Sequence, residues 1–132
     1  MSDENGCQIP TWTVKRDFIV ESRFKKYAKK KHRAELVSCL ANLENLAIFL
    51  NHGGTLQQAL GFGYFGSEGN DIYRIGQTGI ENAKETRLYI YARITGPDIQ
   101  MITIGDKQTQ QEDIKLCKAL TKNLKQENKT TK

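Results

Sequence analysis

Apolar residues recur along this chain with two different periods. From Ala34 onward, Leu36, Leu40, Leu43, Ala47 and Leu50 step by four, three, four and three, laying one apolar stripe along a helix. Gly53-Gly54 then ends it, because glycine takes the left-handed conformation of a helix C-terminus without strain. Just upstream, Ser22 is placed to cap a shorter helix, SRFKKYAKKKHR, with Phe24 and Tyr27 on one face and lysines elsewhere. The two helices predict a helical hairpin. Before them, WTVKRDFIV (12–20) is rich in aromatic and β-branched residues and predicts a strand.

The second half switches to period two. In TRLYIYARI (86–94), Leu88, Ile90, Ala92 and Ile94 point one way, and Arg87, Tyr89, Tyr91 and Arg93 the other. Thr95-Gly96-Pro97-Asp98 predicts a turn into the antiparallel strand IQMITIG, and DIYRIG predicts a short strand before both. A last helix is expected from Thr109 to about Gln126, with Ile114, Cys117, Leu120 and Leu124 inward. Residues 53–70 hold six of the 11 glycines and predict an irregular loop. The order is strand, two helices, three strands in a meander, one helix. It predicts an α+β fold with a mainly antiparallel sheet. Residues 1–11 are expected as a flexible N-terminal tail, 12–126 as one domain and 127–132 as a flexible C-terminal tail.

Composition narrows the class. At 132 residues, 38% hydrophobic and 27% charged, the chain can bury a core without a disulfide or metal staple. No apolar run approaches the roughly 20 residues that span a bilayer, and MSDENGCQIP has no signal-peptide character. Cys7, Cys39 and Cys117 form no CxxC, so the reducing cytoplasm is the expected compartment. The net charge of +5 is uneven: residues 15–33 carry nine Lys/Arg against Asp17 and Glu21, and the stretch from 107 to 132 carries seven lysines against three acids. Residues 34–106 are acidic. Clustered cations suggest a polyanion partner, and a solvated basic surface is the plain alternative.

Gly61-Phe62-Gly63-Tyr64-Phe65-Gly66 matches GxGxxG, but lacks the strand before and helix after it that dinucleotide binding requires. The plain reading is a loop pinned to the body by Phe62, Tyr64 and Phe65. His32 and His52, the two histidines, lack partners at metal-ligand spacing; His52 suits a helix C-terminus. No metal or cofactor is expected, and no histidine-based nucleophilic catalysis. The face Arg87, Tyr89, Tyr91, Arg93 can grip phosphates and stack bases. Its alternative is a solvent-facing strand whose arginines and tyrosines cover one another by cation–π contact. Arg74 and Lys107 are placed to join that face.

IGDKQTQQEDIKLCKALTKNL resembles the C-terminal segment of the RelE/ParE toxin superfamily, especially its HigB-like addiction module killer branch. Asp71-Ile72-Tyr73-Arg74-Ile75 is similar to that family's "-YRI-" strand, and Thr86-Arg87-Leu88-Tyr89-Ile90-Tyr91 to its Arg-headed strand. FIVESRFKKYAKK resembles its first strand and helix. The resemblance implies a RelE-like fold and the toxin of a type II toxin–antitoxin pair, a metal-independent mRNA endoribonuclease acting at the ribosome. It implies Arg74, Arg87 and Lys107 as catalytic residues. Such cleavage also needs a general base and a general acid; Lys107 is a candidate, and Glu68, Glu81 and Glu85 are weaker candidates for the base. Lys25, Lys26, Lys29, Lys30 and Arg33, with Tyr89, Tyr91 and Arg93, are the expected RNA-binding residues. An acidic antitoxin from an adjacent gene is the expected partner, with no membrane and no small-molecule cofactor. The chain departs from several ribonuclease members in having no Tyr after Tyr91 and no His after His52. The alternative is therefore a non-catalytic or gyrase-targeting member that binds an antitoxin or protein target.

Overall fold

A computed structural model describes residues 11–29, 31–80, 85–93 and 96–130, with side chains only as far as residue 122. The tail to residue 10 with Cys7, and Lys30, Glu81, Ile94 and Thr95, lie outside the described residues, as does the Leu124 side chain. The elements are β1 (Thr13–Lys15), α1 (Glu21–Ala28), α2 (Arg33–Asn51), α3 (Leu56–Ala59), β2 (Phe65–Gly69), β3 (Ile72–Gly76), β4 (Thr86–Arg93), β5 (Asp98–Asp106) and α4 (Gln110–Thr130). The fold is α+β, and its five strands lie in the order β1-β5-β4-β3-β2. All neighbours are antiparallel except β1, which runs parallel to β5.

Helices cover both faces of the sheet. On one side, Leu36, Cys39, Leu43, Leu46 and Leu50 of α2 pack with Ile75, Leu88, Ile90 and Ile104. Tyr27 of α1 joins them. On the other side, α4 packs through Ile114, Cys117 and Leu120 onto Ile72, Tyr89, Tyr91 and Ile102. The two faces are the two alternating sets of β4, as the period of two dictates. β5 carries one extra residue, Ile102, between Met101 and Thr103, which pair with successive residues of β4. Its carbonyl accepts the Val20 N–H at 2.8 Å, so the bulge ties the chain entering α1 to the sheet. Among the described residues no helix is long and apolar enough to cross a membrane.

Five local expectations are corrected. The stripe of α2 that meets the sheet runs through Cys39 and Leu46 beside Leu36, Leu43 and Leu50, leaving Leu40 36% exposed. β1 covers only three of the nine residues of the expected first strand, and α1 begins after Val20 with no side-chain cap, so Ser22 lies inside the helix. Residues 53–70 are not irregular. They hold α3, closed at its start by a reciprocal Thr55–Gln58 capping box, and the edge strand β2. Finally, α4 continues past Gln126 to Thr130. His52 sits at the C-terminus of α2 as expected, its Nδ1 2.8 Å from the Ile48 carbonyl.

Candidate functional site

Register brings two of the three arginines of the acidic middle together. Arg74 of β3 stands opposite Tyr89, and Arg87 of β4 stands opposite Gly76. Directly opposed residues share a face, so both guanidinium groups lie on the α4 side of the sheet. Each also faces a glycine on its other neighbour: Arg74 faces Gly66 of β2 and Arg87 faces Gly105 of β5. A Cβ on Gly66 would sit 2.7 Å from the Arg74 guanidinium carbon. The missing side chain is what lets that guanidinium lie flat across β2.

Arg74 and Arg87 line one open cleft of about 460 Å³ at the edge of the sheet that α4 leaves uncovered. Its remaining walls come from the lip Gly63–Gly66 and from Gln77, Ile80, Glu85 and Thr86. These walls are held from outside. Thr86 N–H donates to Gln77 Oε1 at 2.8 Å, Ser38 of α2 bonds the Thr78 backbone in both directions, and Asn42 donates to the Gly76 carbonyl at 2.8 Å. Helix α2 thus fixes the rim as well as the core.

Both arginines carry carboxylate partners. Arg74 Nη1 lies 2.7 Å from Glu68 Oε2, and Arg87 Nη2 lies 2.8 Å from Glu85 Oε2. Arg87 Nη1 also donates to Gln110 at the start of α4. The hydrogen bond and charge of Arg87 hold the Glu85 carboxyl below the usual carboxylate range, with Lys107 and Arg74 adding to the effect. The field of Lys107 therefore reaches this cluster, although Lys107 is exposed on the turn after β5 and does not line the cleft. Burial alone would lower the Arg87 pKa, but the Glu85 pair outweighs it and the pKa rises.

The tyrosines are a correction. Tyr89 and Tyr91 are buried beneath α4, at 0% and 4% exposure, and belong to the second core. They are not available to stack bases. Burial pushes the Tyr89 phenol up to about 12, so it stays protonated near neutral pH. Arg93 lies 5.4 Å over the Tyr91 ring, the cation–π cover that was the plain alternative. It is six residues from Arg87, roughly 20 Å along the strand. Lys25 and Lys26 on α1, Lys29 just after it and Arg33 at the start of α2 are exposed, and none lines the cleft. Of the acids, Glu68 and Glu85 are at the arginines.

Tyr64, Gln77 and Thr86 line the cleft without having been singled out for it. The one signal in the chain that bore on them was the glycine-aromatic run 61–66. Its last glycine, Gly66, is explained by a guanidinium crossing β2, not by a dinucleotide turn. Comparison of the chain with family models, with curated proteins and with solved structures finds no match.

Proposed function

We propose that this chain has a RelE-like fold and is the toxin of a type II toxin–antitoxin pair, a metal-independent endoribonuclease that cuts mRNA at the ribosome. The observation that carries the reading is the convergence of Arg74 and Arg87 on one cleft, with the charge of Lys107 felt at the same Glu85. The sequence resemblance of residues 71–120 to RelE/ParE toxins supports it independently.

In the proposed reaction the ribose 2′-hydroxyl gives up its proton to a general base and attacks the adjacent phosphorus, and the P–O5′ bond breaks as O5′ takes up a proton. This yields a 2′,3′-cyclic phosphate and a 5′-hydroxyl. The phosphorane between them gains negative charge, which preorganised cations stabilise. Arg74 and Arg87 hold the phosphate, and Lys107 adds positive charge or transfers a proton. Glu68 and Glu85 keep both guanidinium groups aimed before RNA arrives. The basic surface of α1 grips the RNA backbone away from the cut. An acidic antitoxin, encoded nearby, covers the cleft.

The pairing of both guanidinium groups with carboxylates favours one second reading, a non-catalytic or gyrase-targeting relative in which the cleft holds a protein. Expressing the chain alone in bacteria and mapping new mRNA 5′ ends separates the two. Growth arrest with new ends, lost in a folded Arg87→Ala variant by about 10²–10³-fold in cleavage rate, is expected. Arrest with intact mRNA and damaged DNA would establish the gyrase reading instead.

A further inference from the structure

We propose that the glycine-aromatic lip 61–66 and the arginine cleft together form a binding site for one nucleotide, with the base stacked on Tyr64 and its phosphate on Arg74 and Arg87. This deepens the ribonuclease reading and rests on it only in taking the ligand to be a piece of RNA.

The cleft is far larger than a phosphate ion requires and falls within the roughly 300–1,000 Å³ of small-molecule sites. One wall is cationic, from Arg74 and Arg87. Another is apolar, from Tyr64 and Ile80. With Tyr89 and Tyr91 buried, Tyr64 is the partly exposed ring lining the cleft among the described residues, part of its surface being packed against the α2-side core. It is also held in place. Its carbonyl accepts the Gly76 N–H at 2.8 Å, and its ring lies 5.7 Å from that of Phe62. Phe62 in turn packs edge-on against Phe49 of α2 at 4.9 Å. This aromatic ladder fixes the platform before the base arrives, so little ordering is left for binding. A Cβ on Gly63 would meet nothing within 4 Å, so the approach beside Tyr64 is open. Among the described residues the bonds of Arg74 leave from Nη1, and in the proposed pose its other donors hold the phosphate. Gln77 is oriented by the Thr86 N–H on its oxygen, which leaves its NH₂ group to donate to a base edge. Stacking tolerates any base, so the site selects nucleotides over bare anions more than one base over another.

The test uses the whole protein and two probes, adenosine 3′-monophosphate and inorganic phosphate, in titrations followed by NMR. The nucleotide is expected to bind about 5–100-fold tighter than phosphate. Tyr64→Phe keeps that margin. Tyr64→Leu removes it while phosphate affinity holds. Equal binding of the two probes by the wild-type protein, or an intact margin in Tyr64→Leu, overturns the proposal. Should Tyr64→Leu not fold, a trinucleotide carrying 4-thiouridine is photocrosslinked to the wild-type protein. An adduct on Tyr64 supports the site, and an adduct confined to residues outside the cleft overturns it. The two readings fail separately: a Tyr64-dependent nucleotide margin without mRNA cleavage sinks the nuclease alone, whereas cleavage without the margin sinks this site alone.

Discussion

The two faces of the sheet are made by the same strands and differ in almost everything else. Under α2 the sheet presents Ile75, Leu88, Ile90 and Ile104, all fully buried, against a helix that offers leucines and Cys39. Under α4 it presents Ile72 and Ile102 between polar groups. Tyr91 and Thr103 are buried there with hydroxyls that meet no hydrogen-bond partner among the described residues, and the Tyr89 phenol is buried beside the Arg87 guanidinium. One face is closed along its length, and the other is closed by α4 only in part, leaving Arg74 and Arg87 at an open cleft. The difference teaches where stability and chemistry reside. The α2 face is held by burial, whereas the α4 face is held at one end by a polar clasp. Asp113 of α4 pairs with Arg23 of α1 at 3.0 Å and accepts the Thr109 hydroxyl at 2.7 Å. A Cβ on Gly105 would fall 2.0 Å from Asp113, so the clasp lies directly on β5.

The largest expected effect breaks that clasp. Asp113→Ala leaves Arg23 without its anion at a site where Asp113 is 1% exposed. It is expected to cost about 3–5 kcal/mol in denaturant unfolding, as removal of one partner of a buried pair does. Leu46→Ala, in the middle of the apolar face, is expected to cost about 2–5 kcal/mol by the same measurement. If Asp113→Ala proved nearly neutral, α4 would be held by its apolar side chains alone and the contrast between the faces would disappear.

How far this contrast was legible in sequence depends on the element. The alternation of β4 is explicit, because eight consecutive residues keep a period of two and the polar set contains only Arg and Tyr. It separates the faces but does not say which one is covered. Ile114, Cys117 and Leu120 mark α4 as a packing helix, and no spacing tells that they land on Tyr89 and Tyr91. Hence the tyrosines look like a ligand surface until the tertiary fold is known. β2 was hidden for a different reason. Phe65-Gly66-Ser67-Glu68-Gly69 has one strand-favouring residue; Gly66 is there to admit Arg74, and Gly69 takes a positive φ of 85°. In α2, Leu40 and Leu46 both fit a helical stripe, and only the sheet decides which of them is inside.

A smaller change sharpens the polar face. The Tyr91 hydroxyl is buried without a partner among the described residues, and such a group costs about 1–3 kcal/mol relative to one left in water. Tyr91→Phe removes it without removing the ring. Stability is expected to rise by about 1 kcal/mol in thermal unfolding. A loss of that size would show that the hydroxyl is satisfied in solution, and that this face is better packed than its contacts indicate.

The smallest effect concerns the open end of the same face and is read by pH. Glu85 has its pKa lowered by Arg87, so its contribution to stability is complete above the ordinary carboxylate pKa and is lost as pH falls through its folded value. The Glu85 side chain is 60% exposed, so the pair is a screened one. The stability change is correspondingly slight, but the same protonation frees Arg87 from its competitor. Sulfate, whose charge is constant across this range, is the suitable probe. Its affinity for the cleft is expected to rise about two- to fivefold as the solution is acidified through the Glu85 titration. In Glu85→Gln the rise is already present at neutral pH, and that part of the pH profile is flat. A Glu85→Gln variant with unchanged sulfate affinity and an unchanged profile would mean that Arg87 is not the anion's ligand. The cleft would then belong with the closed face, as a structural seam rather than a site.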